Sequence, residues 1–485
     1  MHYKTPTARN EITLFNQLED WVDINNPVRV IDLFVDKFVE NSSTSYSKGE
    51  EAKGRKAYSI SCMLKLYLYG YFNQIKSSRK LEAETYRNME VIFLIGNLHP
   101  DHRTISGFRK DNSEIINQVF SAFRNFLQKE GLINLKTVAY DGTKLKAYAS
   151  SNGLSLQQIA SRLARLDKRL SDYLNLLNTE DNIEELQNDI ESLDDEKASL
   201  LKIISELKEE IDNLQNAKDK IKEVGDKSYI YNDSDSRIVK TRDGYRAGFN
   251  AQVGVDQENH IIINTIVTND TNDISQLEPL IEDTIQETNV APETVLADGG
   301  YCNFDQIIEV EKKGCNCIIP IPRSAKKIKD EINGISFIYR QENDSYLCPN
   351  DKSLEFSRIA VKRGASYKVY KAIQSECDDC EKRNFCTTSK YGRSIWIDER
   401  TEFITNYKKK IQKPESKHLI KRRKGIIENV FGTIKVWMGK HPLLLKGLRG
   451  AQTEMSLYAT CYNLRRYINI IGVANAMSRL QEFAL

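Results

Sequence analysis

Three acids stand where a carboxylate could serve as a metal ligand. Asp141 follows the apolar run Thr137-Val138-Ala139-Tyr140, and Asp298 follows Thr294-Val295-Leu296-Ala297. Each is followed by glycine, which lets a chain turn away and leave the carboxylate facing a crevice at a strand end. The third, Glu428, lies in KRRKGIIENVFGTIK among Ile426, Ile427, Val430 and Phe431. Three converging carboxylates suit two Mg²⁺ or Mn²⁺ ions, hard cations that take oxygen ligands. Such a pair can clamp the attacking and leaving oxygens of a phosphoryl transfer. Taken singly, an acid after a strand is more often a turn or helix-cap residue.

Two other groupings could bind. Between Tyr407 and Arg449 there are 13 Lys and Arg against only Glu415 and Glu428, a net +11. Lys421, Arg422, Arg423, Lys424 and Lys435 belong to this run and are candidate phosphate contacts. A solvated helix face would look the same. Cys348, Cys377, Cys380 and Cys386 supply four thiols, two of them in a C-x-x-C pair. That set suits structural Zn²⁺, with free reduced thiols as the alternative. The other cysteines read as core, and the histidines show no metal-binding spacing.

The elements that must position these groups follow from apolar periodicity. Residues 1–130 read as helices, with Val28, Val30, Ile31, Phe34, Val35 and Phe38 at helical spacing and Asp101 as a helix cap. The last of these helices carries Arg103, Arg109 and Lys110, which suggests a DNA reader. A packing domain with solvated charges is the alternative. Residues 134–140 read as a strand ending at an Asp141-Gly142 turn. Leu156 to Leu177 and Ile183 to Leu214 then repeat at three- and four-residue spacing, which predicts a coiled-coil hairpin. Residues 245–256 and 260–270 alternate like an antiparallel pair. Before them, Asp233, Asp235, Arg237, Lys240 and Arg242 form a polar loop suited to a DNA backbone. Asn250 and Gln252 share a strand face near the first acid.

Strand with acid, antiparallel pair, helix, strand with acid, helix, strand, helix with acid is the order of a ribonuclease-H-like α/β fold. Its mixed sheet would carry an N-terminal helical domain (1–130) and a core in two parts (131–150 and 228–325). The coiled-coil insertion (151–227), a β-rich cysteine-containing insertion (326–405) and a C-terminal helical part (406–485) complete it.

The segments NPVRVIDLFVD, PDHRTISGFRK, YDGTKLKA, RDGYRAGFNAQVGVD, LADGGY, RRKGIIENVFGTIK and GLRGAQTEMSLYATCYNLRR are spread over most of the chain. Together they resemble the DDE transposases of bacterial insertion sequences, in the IS4-like group. The resemblance implies that Asp141, Asp298 and Glu428 are the catalytic, magnesium-binding triad. It implies cleavage at terminal inverted repeats and strand transfer into target DNA, by a homodimer. The family's last segment often reads Tyr, two residues, Arg, three residues, Glu, six residues, Lys. Glu428 and Lys435 keep that relation, while Lys421 and Lys424 stand where Tyr and Arg would be.

Composition narrows the alternatives. The 485 residues suffice for two to four domains. Charged residues are 28% and hydrophobic ones 40%, which excludes wholesale disorder. No apolar run approaches the ~18 residues of a membrane span, and no leader pattern opens the sequence. Nine scattered cysteines fit a reducing compartment, so a cytoplasmic, nucleoid-associated bacterial protein without membrane contact is expected. Net charge is only +2, because residues 151–225 carry −7. A metal-dependent nuclease without strand transfer, and an inactive DNA-binding relative, remain the alternative readings.

Overall fold

The computed structural model describes residues 17–41, 57–149, 155–184, 193–224, 230, 232–241, 244–322, 337–362, 365–438 and 442–482. The N-terminal helices are α1 (Val28–Asn41), α2 (Ile60–Phe72), α3 (Ser78–Arg87), α4 (Met89–Ile95), α5 (His102–Asp111) and α6 (Ser113–Lys129). The apolar stripe read in α1 is its buried face: Val28, Val30, Ile31, Phe34, Val35 and Phe38 are all inside. On α2 even Lys65 is buried, held by Asp32 and Asp36 at 2.6 and 2.7 Å. Asp101 starts α5 by accepting from the amides of Arg103 and Thr104, each at 2.9 Å. Two orphan donors of the first turn are thereby satisfied.

Next come β1 (Thr137–Lys146), α7 (Leu156–Glu184), α8 (Leu193–Val224), β2 (Arg237–Thr241), β3 (Gly244–Asp256), β4 (Ile262–Thr268) and α9 (Leu277–Thr288). The 13-residue β3 pairs antiparallel with β1, β2 and β4. The expected turn at Asp141-Gly142 does not occur. β1 continues to Lys146, with Asp141 opposite Val253 and Lys146 opposite Gly248. The long partner strand supplies ladder bonds past the glycine, so extension wins over turning. Helices α7 and α8 pack along Ile159, Leu163, Leu166, Leu207, Ile211, Leu214, Ala217 and Ile221. Residues 185–192, within the expected hairpin, lie outside the described residues.

The chain continues through β5 (Thr294–Leu296), α10 (Phe304–Lys312), β6 (Asn316–Ile318), β7 (Ile338–Arg340), β8 (Ser345–Leu347), β9 (Ser353–Lys362) and β10 (Ala365–Ala372). Then follow α11 (Gln374–Asp378), α12 (Arg383–Cys386), β11 (Ser394–Asp398), α13 (Thr401–Gln412), α14 (Pro414–Met438), α15 (Gly447–Ile471) and α16 (Val473–Glu482). No helix among the described residues is long and apolar enough to cross a membrane.

Contacts divide this mixed α/β chain into two units. The first holds Met1–Asp273, Glu282–Val290 and Ile426–Leu485; the second holds Ile274–Ile281 and Ala291–Gly425. In the first, the N-terminal helices do not stand apart as a separate domain. Helix α15 packs on α6, α2 and β4, and α16 on α1. Asn463 of α15 donates to the carbonyl of Ile262 and accepts its amide, at 2.8 and 2.9 Å, so it stands in for a strand partner. In the second unit β5 and β6 pair in parallel. There β7 to β11 form an antiparallel sheet in chain order, with Leu354, Tyr370, Ala372 and Ile395 as its buried cluster.

Candidate active site

Asp141 lies within β1 rather than at its end, half-buried, with its Oδ1 accepting from the amide of Gly142 at 2.9 Å. Side chains alternate across a strand, and directly paired residues share a face. Gly142 faces Gln252 and Lys144 faces Asn250, so those amides sit on the side of β1 opposite to Asp141. Their proximity to the first acid along the strand is real, but the pleat turns them away from it.

What they face is Asp273, an acid that the sequence reading passed over. Its Oδ1 accepts from Asn250 Nδ2 and Gln252 Nε2, both at 2.7 Å, and Lys144 Nζ lies 3.6 Å away. Asn250 and Gln252 are fully buried. This cluster explains Gly142. A Cβ there would lie 2.6 Å from Asp273 Oδ1 and 2.9 Å from Gln252 Nε2. The glycine is needed for close approach, not for a turn. In sequence, Asp273 is one of several acids and amides in a polar loop, TNDTND, with no spacing to single it out.

Asp298, in the second unit, lies two residues beyond β5. It is half-buried and caps the short 3₁₀ turn Gly299–Tyr301 by accepting from Gly300 N at 2.8 Å. Glu428 is on α14 in the first unit. Ile426, Ile427, Val430, Phe431 and Ile434 form the buried side of that helix, and Glu428 is exposed. Its expected position among apolar side chains is therefore corrected: helical rotation carries it to the solvent side. Steps of three, four and seven residues align it with Lys417, Lys421, Lys424 and Lys435, all exposed. Among the described residues, no three His, Cys, Asp or Glu side chains converge closely enough to hold a metal ion.

The candidate DNA contacts divide. Arg103 and Lys110 of α5 are exposed, as are Lys421, Arg422 and Lys424, while Arg423 is half-buried. Lys435 lies over the Phe431 ring at 5.4 Å. Arg109 is corrected outright. It is 4% exposed, donates to Tyr71 Oη and the Lys76 carbonyl at 3.2 and 3.3 Å, and stacks on Tyr67. It belongs to a buried network with Glu454, which is 1% exposed and accepts from the amides of Leu444 and Leu445 at 2.6 Å each. Burial pushes the Glu454 carboxyl above its ordinary value, against the opposing pull of Arg109 and those amides.

Arg237 turns back onto its own loop, donating to the carbonyls of Ser234, Asp235 and Ser236. Arg242 lies outside the described residues. Asp233 and Asp235, expected over a DNA backbone, instead accept from the amides of Gly447 and Leu448 at 3.2 and 3.1 Å. Acids at the start of α15 satisfy its orphan amides and oppose its dipole. The four candidate zinc ligands, Cys348, Cys377, Cys380 and Cys386, are half-buried and all belong to the second unit.

A family model described as "Transposase DDE domain" matches residues 222–464, just over half of the chain. The chain belongs to the DDE transposase family. A second family model, "Transposase domain (DUF772)", matches residues 16–111. The transposase is thus an enzyme of the DDE type, from the insertion-sequence class. The DDE match includes Asp298 and Glu428; Asp141 lies between the two matched regions. No curated protein matches the sequence. Among solved structures, the transposase has a distant likeness to a piggyBac transposase synaptic complex with hairpin DNA. Identity is 11% and the TM-score 0.33, over 95% of this chain and 79% of that one.

Proposed function

We propose that this transposase uses Asp141, Asp298 and Glu428 as the metal-binding triad of a ribonuclease-H-like core. The observation that carries the reading is the exposed face of α14, where Glu428 shares one stripe with Lys417, Lys421, Lys424 and Lys435. A carboxylate set in a row of cations is suited to a site where polyanionic DNA is gripped and a divalent ion held. The donor set is all carboxylate oxygen, which fits Mg²⁺ or Mn²⁺. Two such ions, when bound, would polarise the scissile phosphate and lower the pKa of the attacking water.

The chain's own residues have simpler tasks. The three carboxylates hold the ions. The α14 cations, with Arg103 and Lys110, neutralise DNA phosphates and give salt-dependent affinity. At each terminal inverted repeat a water oxygen bonds to phosphorus as the bond to the 3′-oxygen breaks, freeing a 3′-hydroxyl. That hydroxyl then attacks a target phosphodiester, one P–O bond forming as another breaks. Two ends must be held together, which calls for at least a homodimer. The acidic helices α7 and α8 avoid DNA and are suited to protein contact as a coiled-coil arm.

The test is Asp298→Ala, assayed on DNA carrying an element end with Mg²⁺ present. Strand cleavage falls by about a hundredfold or more while DNA binding in EDTA is retained. Undiminished cleavage removes Asp298 from the triad.

A further inference from the structure

We propose that the second unit carries a structural Zn²⁺ site made by the thiolates of Cys348, Cys377, Cys380 and Cys386. The site is separate from the carboxylate chemistry and rests on the sheet β7 to β11. Cys348 opens the tight loop between β8 and β9, where its carbonyl accepts from Asp351 N and its amide donates to the Lys352 carbonyl, each at 2.9 Å. Cys377 is on α11, Cys380 just beyond it, and Cys386 ends α12.

Asn350 joins the two halves. Its backbone amide donates to Cys348 Sγ at 3.4 Å, and its side-chain amide to Cys380 Sγ at 3.6 Å. Arg393 N donates to Cys377 Sγ at 3.5 Å, and the Arg393 guanidinium donates to the Cys386 carbonyl at 2.5 Å. Cys348 and Cys377 pack against the same small apolar cluster. Amide donors to sulfur orient and stabilise thiolate ligands, and the Arg393 cation offsets the surplus charge of four thiolates on one Zn²⁺.

Two further observations favour an ion. Cys62, Cys315, Cys317 and Cys461 are buried, as apolar cysteines should be, whereas these four, like Cys302, are half-buried, and they lie on loops and short helices. Among the described residues, the sheet around them has Leu354, Tyr370, Ala372 and Ile395 as its buried cluster, with Val369 also buried. So thin a core is what a structural metal supplements. The thiols are neighbours but do not yet share one coordination point. Helices α11 and α12 contain no buried residue, so little packing resists the closure that binding requires. Binding replaces four S–H bonds by four Zn–S bonds and releases the protons to solvent.

The experiment uses the full chain, purified without chelator and assayed for metal by mass spectrometry. About one Zn²⁺ per chain is expected. Cys377→Ser with Cys380→Ser should lose nearly all of it, while Cys302→Ser and Asp298→Ala keep it. The second readout needs no variant: Co²⁺ loaded in place of Zn²⁺ should show intense thiolate-to-metal charge-transfer absorption. Retention of zinc by the double variant overturns the site. So does a wild-type chain that holds no zinc and gives no charge-transfer band with Co²⁺.

Discussion

The packing around α15 and the sheet β7 to β11 hold themselves together by different means. Helix α15 is buried from Gly450 to Leu464 at every residue but the half-buried Gln452, and the layers about it are thick enough to contain a carboxylate and a guanidinium. Glu454 is tolerated there because two amides and Tyr71 reach it and Arg109 lies nearby. The sheet has one thin cluster and leaves Phe356, Ile359, Val361 and Trp396 exposed. A thick core can absorb buried polarity if every group is satisfied; a thin one gains more from a cross-link. The difference explains why polar residues are buried in one region and cysteines gather in the other.

The largest effect should come from breaking the thick core. Glu454→Ala leaves Arg109 without its buried counter-charge and strands the amides of Leu444 and Leu445. The expected loss is about 3–5 kcal/mol, read from urea denaturation. A cost below about 1 kcal/mol would mean that the network is not the stabilising feature of that core. A smaller effect should follow Leu354→Ala in the sheet. It should cost about 2 kcal/mol, the low end for a buried leucine, because a thin layer can collapse into the gap. Hydrogen exchange should rise in β8 to β10 while α15 keeps its protection. Loss of protection in α15 would contradict the independence of the two cores.

The smallest effect tests a third kind of contact. Arg162 and Glu210 link α7 to α8 at 2.5 Å on an exposed surface. Arg162→Ala should change stability by less than about 1 kcal/mol, because the Ile159-to-Ile221 seam does the holding. A larger loss in a thermal melt would place the pair above the seam.

Local pattern carried much of the fold. The apolar spacing of α1, the Asp101 cap and the β3–β4 pair were all legible, because each depends on neighbours in sequence. The site was less legible. The Asp141-Gly142 dipeptide reads as a turn, yet β3 is long enough to keep it extended. Arg109 reads as a surface cation, yet α2 and α15 close over it with Tyr71 and Glu454. Asp273 has no periodic signature, and its role depends on two amides from a strand about twenty residues earlier.

By itself, the sequence determined the DDE transposase family, the order of strands and helices, the acidic pair α7 and α8, and the basic character of α14. Those are properties of residue type and spacing, and short-range physics is enough to express them. Tertiary structure decided which charges are spent inside the protein and which lie exposed. Arg109, Asp233 and Asp235 went to internal partners, while Lys417, Lys421, Lys424 and Lys435 are exposed on the helix face that carries Glu428. Burial is a property of what packs over a residue, and for these residues the packing partners come from distant parts of the chain.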